Sequence, residues 1–117
     1  MKKAYRVKKS SEIEKILKKR QSVGNKYFVV YKNENHEVSH FRFAVSVSKK
    51  YGNAVERNKI KRHVREIVAH NNINGQFDFF IVVKIPVKDL SFQERKNQLE
   101  KLLERHKLLG EKNEQIS

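Results

Sequence analysis

Apolar positions along the chain recur with a period near 3.6 in some stretches and with a period of two in others, and the switches delimit its elements. Ile13, Ile16 and Leu17 fall at i, i+3 and i+4 behind a Ser11/Glu14 pair spaced as a capping box. This predicts a short amphipathic helix ending near Arg20. Val23-Gly24-Asn25 predicts a turn. Tyr27-Phe28-Val29-Val30-Tyr31 is β-branched and aromatic throughout, the composition of a strand, and the polar stretch 33–40 predicts a hairpin loop. Phe41, Phe43, Val45 and Val47 alternate with Arg42, Ala44, Ser46 and Ser48, the period of a half-buried strand. Residues 49–52 break that alternation, and a brief extra strand there would leave no pattern.

Asn53 with Glu56 opens a second helix running to about His70, with Ile60, Val64, Ile67 and Val68 as its buried stripe. Turn-forming residues at 71–75 close it. The most apolar stretch, 77–85, predicts a central strand ended by Pro86, which cannot donate to a ladder. Ser91 and Glu94 start a final helix lined by Phe92, Leu99, Leu102, Leu103 and Leu109. The order α-β-β-(β)-α-β-α predicts one α+β domain over residues 1–117, a two-layer sandwich. A loosely ordered basic arm is expected at 1–10 and a polar tail at 111–117.

Charge narrows the function. The 117 residues carry 27 Lys+Arg against 13 Asp+Glu, a net charge of +14. Such a surplus is self-repelling and is tolerated most easily when a polyanion neutralises it in use. Nucleic acid is the first candidate, an anionic membrane the second and a merely solubilising surface the third. The longest apolar run, 79–83, is five residues against the roughly 20 that span a bilayer, and no apolar segment follows the basic N-terminus as a secretory signal requires. There is no cysteine, which excludes disulfides, thiol catalysis and thiolate-bound zinc. The expected compartment is the cytoplasm.

A hydrolytic centre built from the protein is not expected. Asp78 and Asp89 are the only aspartates, and the glutamates are scattered among basic neighbours. A two-metal site needs several carboxylates converging on paired ions. The five histidines show no metal-ligand spacing, and Gly52-Asn53-Ala54 does not continue as a phosphate-binding Walker loop. No metal site is predicted in the protein.

The cations concentrate instead on the second helix. Lys49, Lys50, Arg57, Lys59, Lys61, Arg62 and Arg65 face a single acid in their segment, Glu56. Asn58, Lys61, Arg62 and Arg65 fall at i, i+3, i+4 and i+7, opposite the apolar stripe. Arg57 and Lys59 lie in the first turns, where the helix dipole disfavours a cation by about 0.3–1 kcal/mol each. Phosphates along the exposed face reverse both that penalty and the mutual repulsion of the row. Arginine offers phosphate two donors in a plane, and lysine a point charge. These residues are the candidate RNA contacts.

The run Lys50-x-Gly52-Asn53-Ala54-Val55-x-Arg57-Asn58-x-Ile60-Lys61-Arg62-x-x-Arg65-Glu66 resembles the arginine-rich signature of the protein subunit of bacterial ribonuclease P. The strand before it and the aromatic strand 27–31 resemble that family as well, and the resemblance extends from about residue 4 to 109. It implies a small cytoplasmic RNA-binding protein that joins a large catalytic RNA, with no obligate protein partner and no membrane. Together the two remove the 5′ leader of precursor tRNA by endonucleolytic hydrolysis. The RNA holds Mg2+ and performs the chemistry, while the protein binds the leader. The resemblance further implies a left-handed β-α-β crossover through the basic helix, against the usual right-handed preference.

It also places the leader in a cleft between the first helix and the sheet, at Ile13, Leu17 and Tyr31 and along the edge carrying Arg57 and Asn58. Ser46 and Ser48, with Lys49 and Lys50, are expected to line that cleft from the non-core face of their strand. Ile13 and Leu17 stand where many relatives carry aromatic rings, which removes ring stacking of about 1–3 kcal/mol per base. Phe28 and Phe43 read as core. The competing class is a structural, ribosomal-type RNA-binding protein with no part in cleavage. A helix-turn-helix reading is disfavoured because strands bracket the basic helix.

Overall fold

A computed structural model describes residues 5–7, 9–71, 73 and 75–106; Leu109 and the tail 111–117 lie outside the described residues. Its elements are α1 (Ser10–Lys18), β1 (Ser22–Gly24), β2 (Phe28–Glu34), β3 (Arg42–Val47), α2 (Ala54–Ala69), β4 (Phe77–Val83) and α3 (Phe92–Arg105), with 3-10 turns at Lys49–Tyr51 and Ile85–Asp89. The α+β class and the element order agree with expectation. The additional strand, however, is 22–24, where a turn was expected, and 49–51 is a 3-10 turn. The chain reverses instead at Asn25, whose Oδ1 accepts from the backbone N–H groups of Tyr27 and Phe28 at 2.8 and 2.9 Å.

The sheet order is β1-β2-β4-β3. The hairpin expected across 33–40 does not form, because β4 lies between β2 and β3. It runs antiparallel to β2, with Tyr31 opposite Phe80, and parallel to β3, with Ala44 opposite Phe80. Parallel neighbours need a crossover, and α2 supplies it.

Strand alternation divides the sheet's side chains between two faces. Phe28, Val30, Phe43, Phe79, Ile81 and Val83 pack with Ile60, Val64, Ile67 and Val68 of α2 and Leu99, Leu102 and Leu103 of α3 in the main core. Each stripe residue of α2 is at most 1% exposed, a burial that contributes about 1.5–3 kcal/mol per side chain. The capping boxes of α2 and α3 form as predicted, with each cap side chain accepting from the residue three positions on. A Cβ on Gly52 would collide with the Glu56 carboxylate that completes the α2 box.

The opposite face carries α1, with Ile16 fully buried. Its expected Ser11 cap is not made; the helix starts at Ser10, and Lys9 at the cap position offers no side-chain acceptor. An ion-pair network fastens α1 instead. Arg42 donates from Nε and Nη2 to both oxygens of buried Asp78 at 2.9 Å, and from Nη2 to Glu12 of α1 at 2.8 Å. Asn35 adds a bond to Asp78 at 3.1 Å. The Asp78 hydrogen bonds hold the Arg42 guanidinium well above its ordinary value.

The basic arm is not loose where it is described. Arg6 bridges in parallel to Phe43, and the Val7 N–H donates to the Phe43 carbonyl at 2.9 Å. Val7 is buried, and the Tyr5 ring lies tilted against those of His40 and Phe41 with centroids 4.2 and 4.9 Å away. The arm therefore covers part of the outer edge of β3. No helix among the described residues is long and apolar enough to cross a membrane.

Candidate nucleic-acid interface

Since Ile60, Val64, Ile67 and Val68 tether one side of α2 to the sheet, the other side is presented outward. Asn58, Lys61, Arg62 and Arg65 line one cleft there, with Arg6, Glu66, Ala69 and His70, of about 540 Å3. A second cleft, of about 360 Å3, runs along β3 and shares Arg6, Lys61 and Arg65 with the first. Its floor and walls include Ala44, Ser46 and Phe80 from the α1 face of the sheet, and Ile13 of α1. The two form one surface around the arm, cationic towards α2 and apolar towards α1.

The cations are not neutralised from within. The ion pairs among the described residues are His36–Glu34, Arg42–Glu12, Arg42–Asp78 and Lys88–Glu56, and none involves the α2 row. Burial, and then the neighbouring Arg6, pull the Arg65 guanidinium below its ordinary value. The Nε atoms of Arg6 and Arg57 are buried with no hydrogen-bond partner. Buried donors without acceptors cost about 1–3 kcal/mol each, and of the two side chains Arg6 lines both clefts.

The candidates divide. Asn58, Lys61, Arg62 and Arg65 come together, and Ile13 and Ser46 join them through the second cleft. Tyr31 is half-buried on the same sheet face, its ring 6.4 Å from that of Phe80, which the cleft does include. Leu17 is 36% exposed and lines neither cleft. Ser48, Lys49 and Lys50 are exposed at and beyond the end of β3. Arg57 is half-buried beside the row, and Lys59 lies on the other flank of α2. The sequence offers Arg6 only as part of a basic arm, and apolar Val7 amid its cations is the available sign of docking. No group of three His, Asp or Glu suited to a metal ion comes together among the described residues.

His63 lies behind the row, its ring edge-on to Phe92 with centroids 5.0 Å apart. Burial, then Arg95, with Lys59 and Arg62 adding and Glu66 opposing, lowers its pKa. The neutral ring can accept at Nδ1 from Arg95 Nη1, 3.0 Å away. The unfolded chain, with its ordinary value of about 6.5, therefore binds the proton first, so stability falls as pH drops from there towards the folded value. Thermal melts over this window should show a decline that His63→Gln flattens; identical slopes would remove His63 as its source.

Comparison with known proteins places this geometry. A family model described as Ribonuclease P matches residues 1–107. Ribonuclease P protein components of Staphylococcus aureus strains Mu3 and N315 are 44% identical over 113 residues, spanning 96% of this chain and 98% of theirs. A solved S. aureus RNase P protein superposes with a TM-score of 0.84 at 44% identity, covering 92% of this chain and 100% of that one. The Thermotoga maritima RNase P protein gives a TM-score of 0.78 at 31% identity, covering 86% of this chain and 96% of that one.

Proposed function

Because the chain belongs to the ribonuclease P protein family, and so to a subunit of an endoribonuclease, we propose that it binds the catalytic RNA through Lys61, Arg62, Arg65, Asn58 and Arg57. The precursor tRNA leader then lies in the second cleft, over Ser46, Ile13 and the Tyr31 side of the sheet. Lys49 and Lys50 extend the cationic surface beyond β3, and Ser48 marks the end of the cleft wall. Leu17, one turn beyond Ile13 on α1, provides apolar contact at its rim. Chemistry and magnesium belong to the RNA, and the working compartment is the cytoplasm. Family membership displaces the ribosomal-type alternative.

One observation carries this reading: an unpaired row of cations runs into an apolar-floored cleft through shared residues. Single strands are held by that combination of charge and platform. Reconstitution with a candidate catalytic RNA at low magnesium, assayed by release of the precursor's 5′ extension, tests it. The protein alone should release nothing, and a reconstituted mixture no better than RNA alone would overturn the proposal.

Tyr31→Ala tests the cleft separately. Losing a base platform costs about 1–3 kcal/mol. Affinity for leader-bearing precursor should fall about tenfold while that for mature tRNA holds, in the presence of the RNA subunit. Equal losses would mean that the substitution damages the fold.

A further inference from the structure

Of the two cations in the first turns of α2, neither lines the two clefts; Arg57 sits beside their row, whereas Lys59 faces away from it. It lines a separate pocket on the opposite flank, of about 160 Å3, with Tyr51, Glu56, Ile60, Lys88 and Arg95. Four elements converge there: the 3-10 turns at Lys49–Tyr51 and Ile85–Asp89, α2 and α3. Arg95 is fixed in place, its Nε donating to the Val87 carbonyl at 3.1 Å and its Nη1 meeting His63 Nδ1 at 3.0 Å. Those two bonds leave donors of the guanidinium uncommitted. Lys88 sits over the Tyr51 ring, 5.6 Å from its centroid.

The single acid is already engaged. Glu56 Oε1 accepts from the Asn53 N–H at 3.0 Å in the capping box, and Oε2 makes only a 3.7 Å pair with Lys88. The pocket therefore holds three cations against one committed carboxylate. Its volume suits one tetrahedral oxyanion, and nothing in its walls offers an aromatic face for a base except the Tyr51 ring, which is buried and covered by Lys88.

We propose that Lys59, Lys88 and Arg95 form a second phosphate site, occupied by a backbone phosphate of an RNA segment other than the one along the Arg62–Arg65 row. Helix α2 then lies between two RNA strands. Its flank cations meet one and its outward face meets the other. The inference rests on the proposed function, since it assigns the same helix a second contact with the RNA subunit.

Two measurements test it, with Lys88→Gln and, independently, Lys59→Gln as variants. In the first, inorganic phosphate is titrated into the full chain and the Arg95 side-chain N–H resonances are followed by NMR. They should shift, and shift less in either variant. In the second, affinity for the RNA subunit is measured against salt. Each variant should lower the log–log slope by about 0.7–0.9, the amount for one phosphate contact. A phosphate response with unchanged slopes in both variants would mean a free anion rather than RNA and would overturn the proposal, as would the absence of both effects. A reduced slope without a free-phosphate response still supports it, because the RNA delivers the phosphate at high local concentration. Arg62→Ala/Arg65→Ala separates the two levels of inference: if its slope falls and those of the flank variants do not, only the second site fails; if its slope is also unchanged, the proposed function fails.

Discussion

Arg42→Ala should lower the free energy of unfolding by about 3–5 kcal/mol, the usual cost of leaving a buried carboxylate without its charged partner. Asp78 is 3% exposed, so water cannot replace the two guanidinium bonds it loses, and the Asn35 amide alone does not neutralise it. With a domain's typical reserve of about 5–15 kcal/mol, this removes a large share of the total. Urea denaturation followed by circular dichroism measures it. The control is Asp78→Asn in the Arg42→Ala background, which removes the stranded charge and should recover part of the loss. A loss below about 1 kcal/mol, within the range of a surface pair, would show that the network is effectively solvated. Because Arg42 also reaches Glu12, the variant should free α1 as well and weaken leader binding beyond what global destabilisation explains.

Arg62→Ala/Arg65→Ala should weaken binding to the RNA subunit by roughly 100-fold, taking each charge-assisted hydrogen bond as about 1.5 kcal/mol. The salt dependence discriminates better than the affinity. Two lost phosphate contacts should flatten the log–log slope by about 1.4–1.8. An affinity loss with an intact slope would place the two side chains in packing or folding rather than against phosphate. Fold integrity should survive, since Arg62 is exposed and no ion pair among the described residues is broken.

What could be read from the sequence was local. The α2 stripe and both working capping boxes follow from spacings of three and four residues, and these decide helix limits and facing directly. The cationic row follows from the same arithmetic, which puts Asn58, Lys61, Arg62 and Arg65 on one face. Strand neighbours are set by long-range pairing. The polar stretch after β2 suggested a hairpin, yet the ladder to β4 holds Phe28 to Glu34 against Phe77 to Val83 and leaves β3 no place beside β2. β1 leaves no pattern in the sequence because its three residues hold one apolar side chain and are stabilised by pairing with β2. Arg6 and the Arg42–Asp78 pair were illegible for a related reason. A charge inside an apolar pattern does not name its partner, and Arg42 and Asp78 are 36 positions apart.

The place of β4 between β2 and β3 also governs how the molecule is made on the ribosome. β3 has only β4 as a strand partner among the named strands, and β4 is the last of these in chain order. Until residues 77–83 emerge, the nascent chain can form the β1–β2 ribbon and isolated helical turns but no common sheet, because a two-stranded ribbon has too little to pack against. Until then a chain with a surplus of fourteen cations carries them without a closed core, and that closing waits for one seven-residue segment.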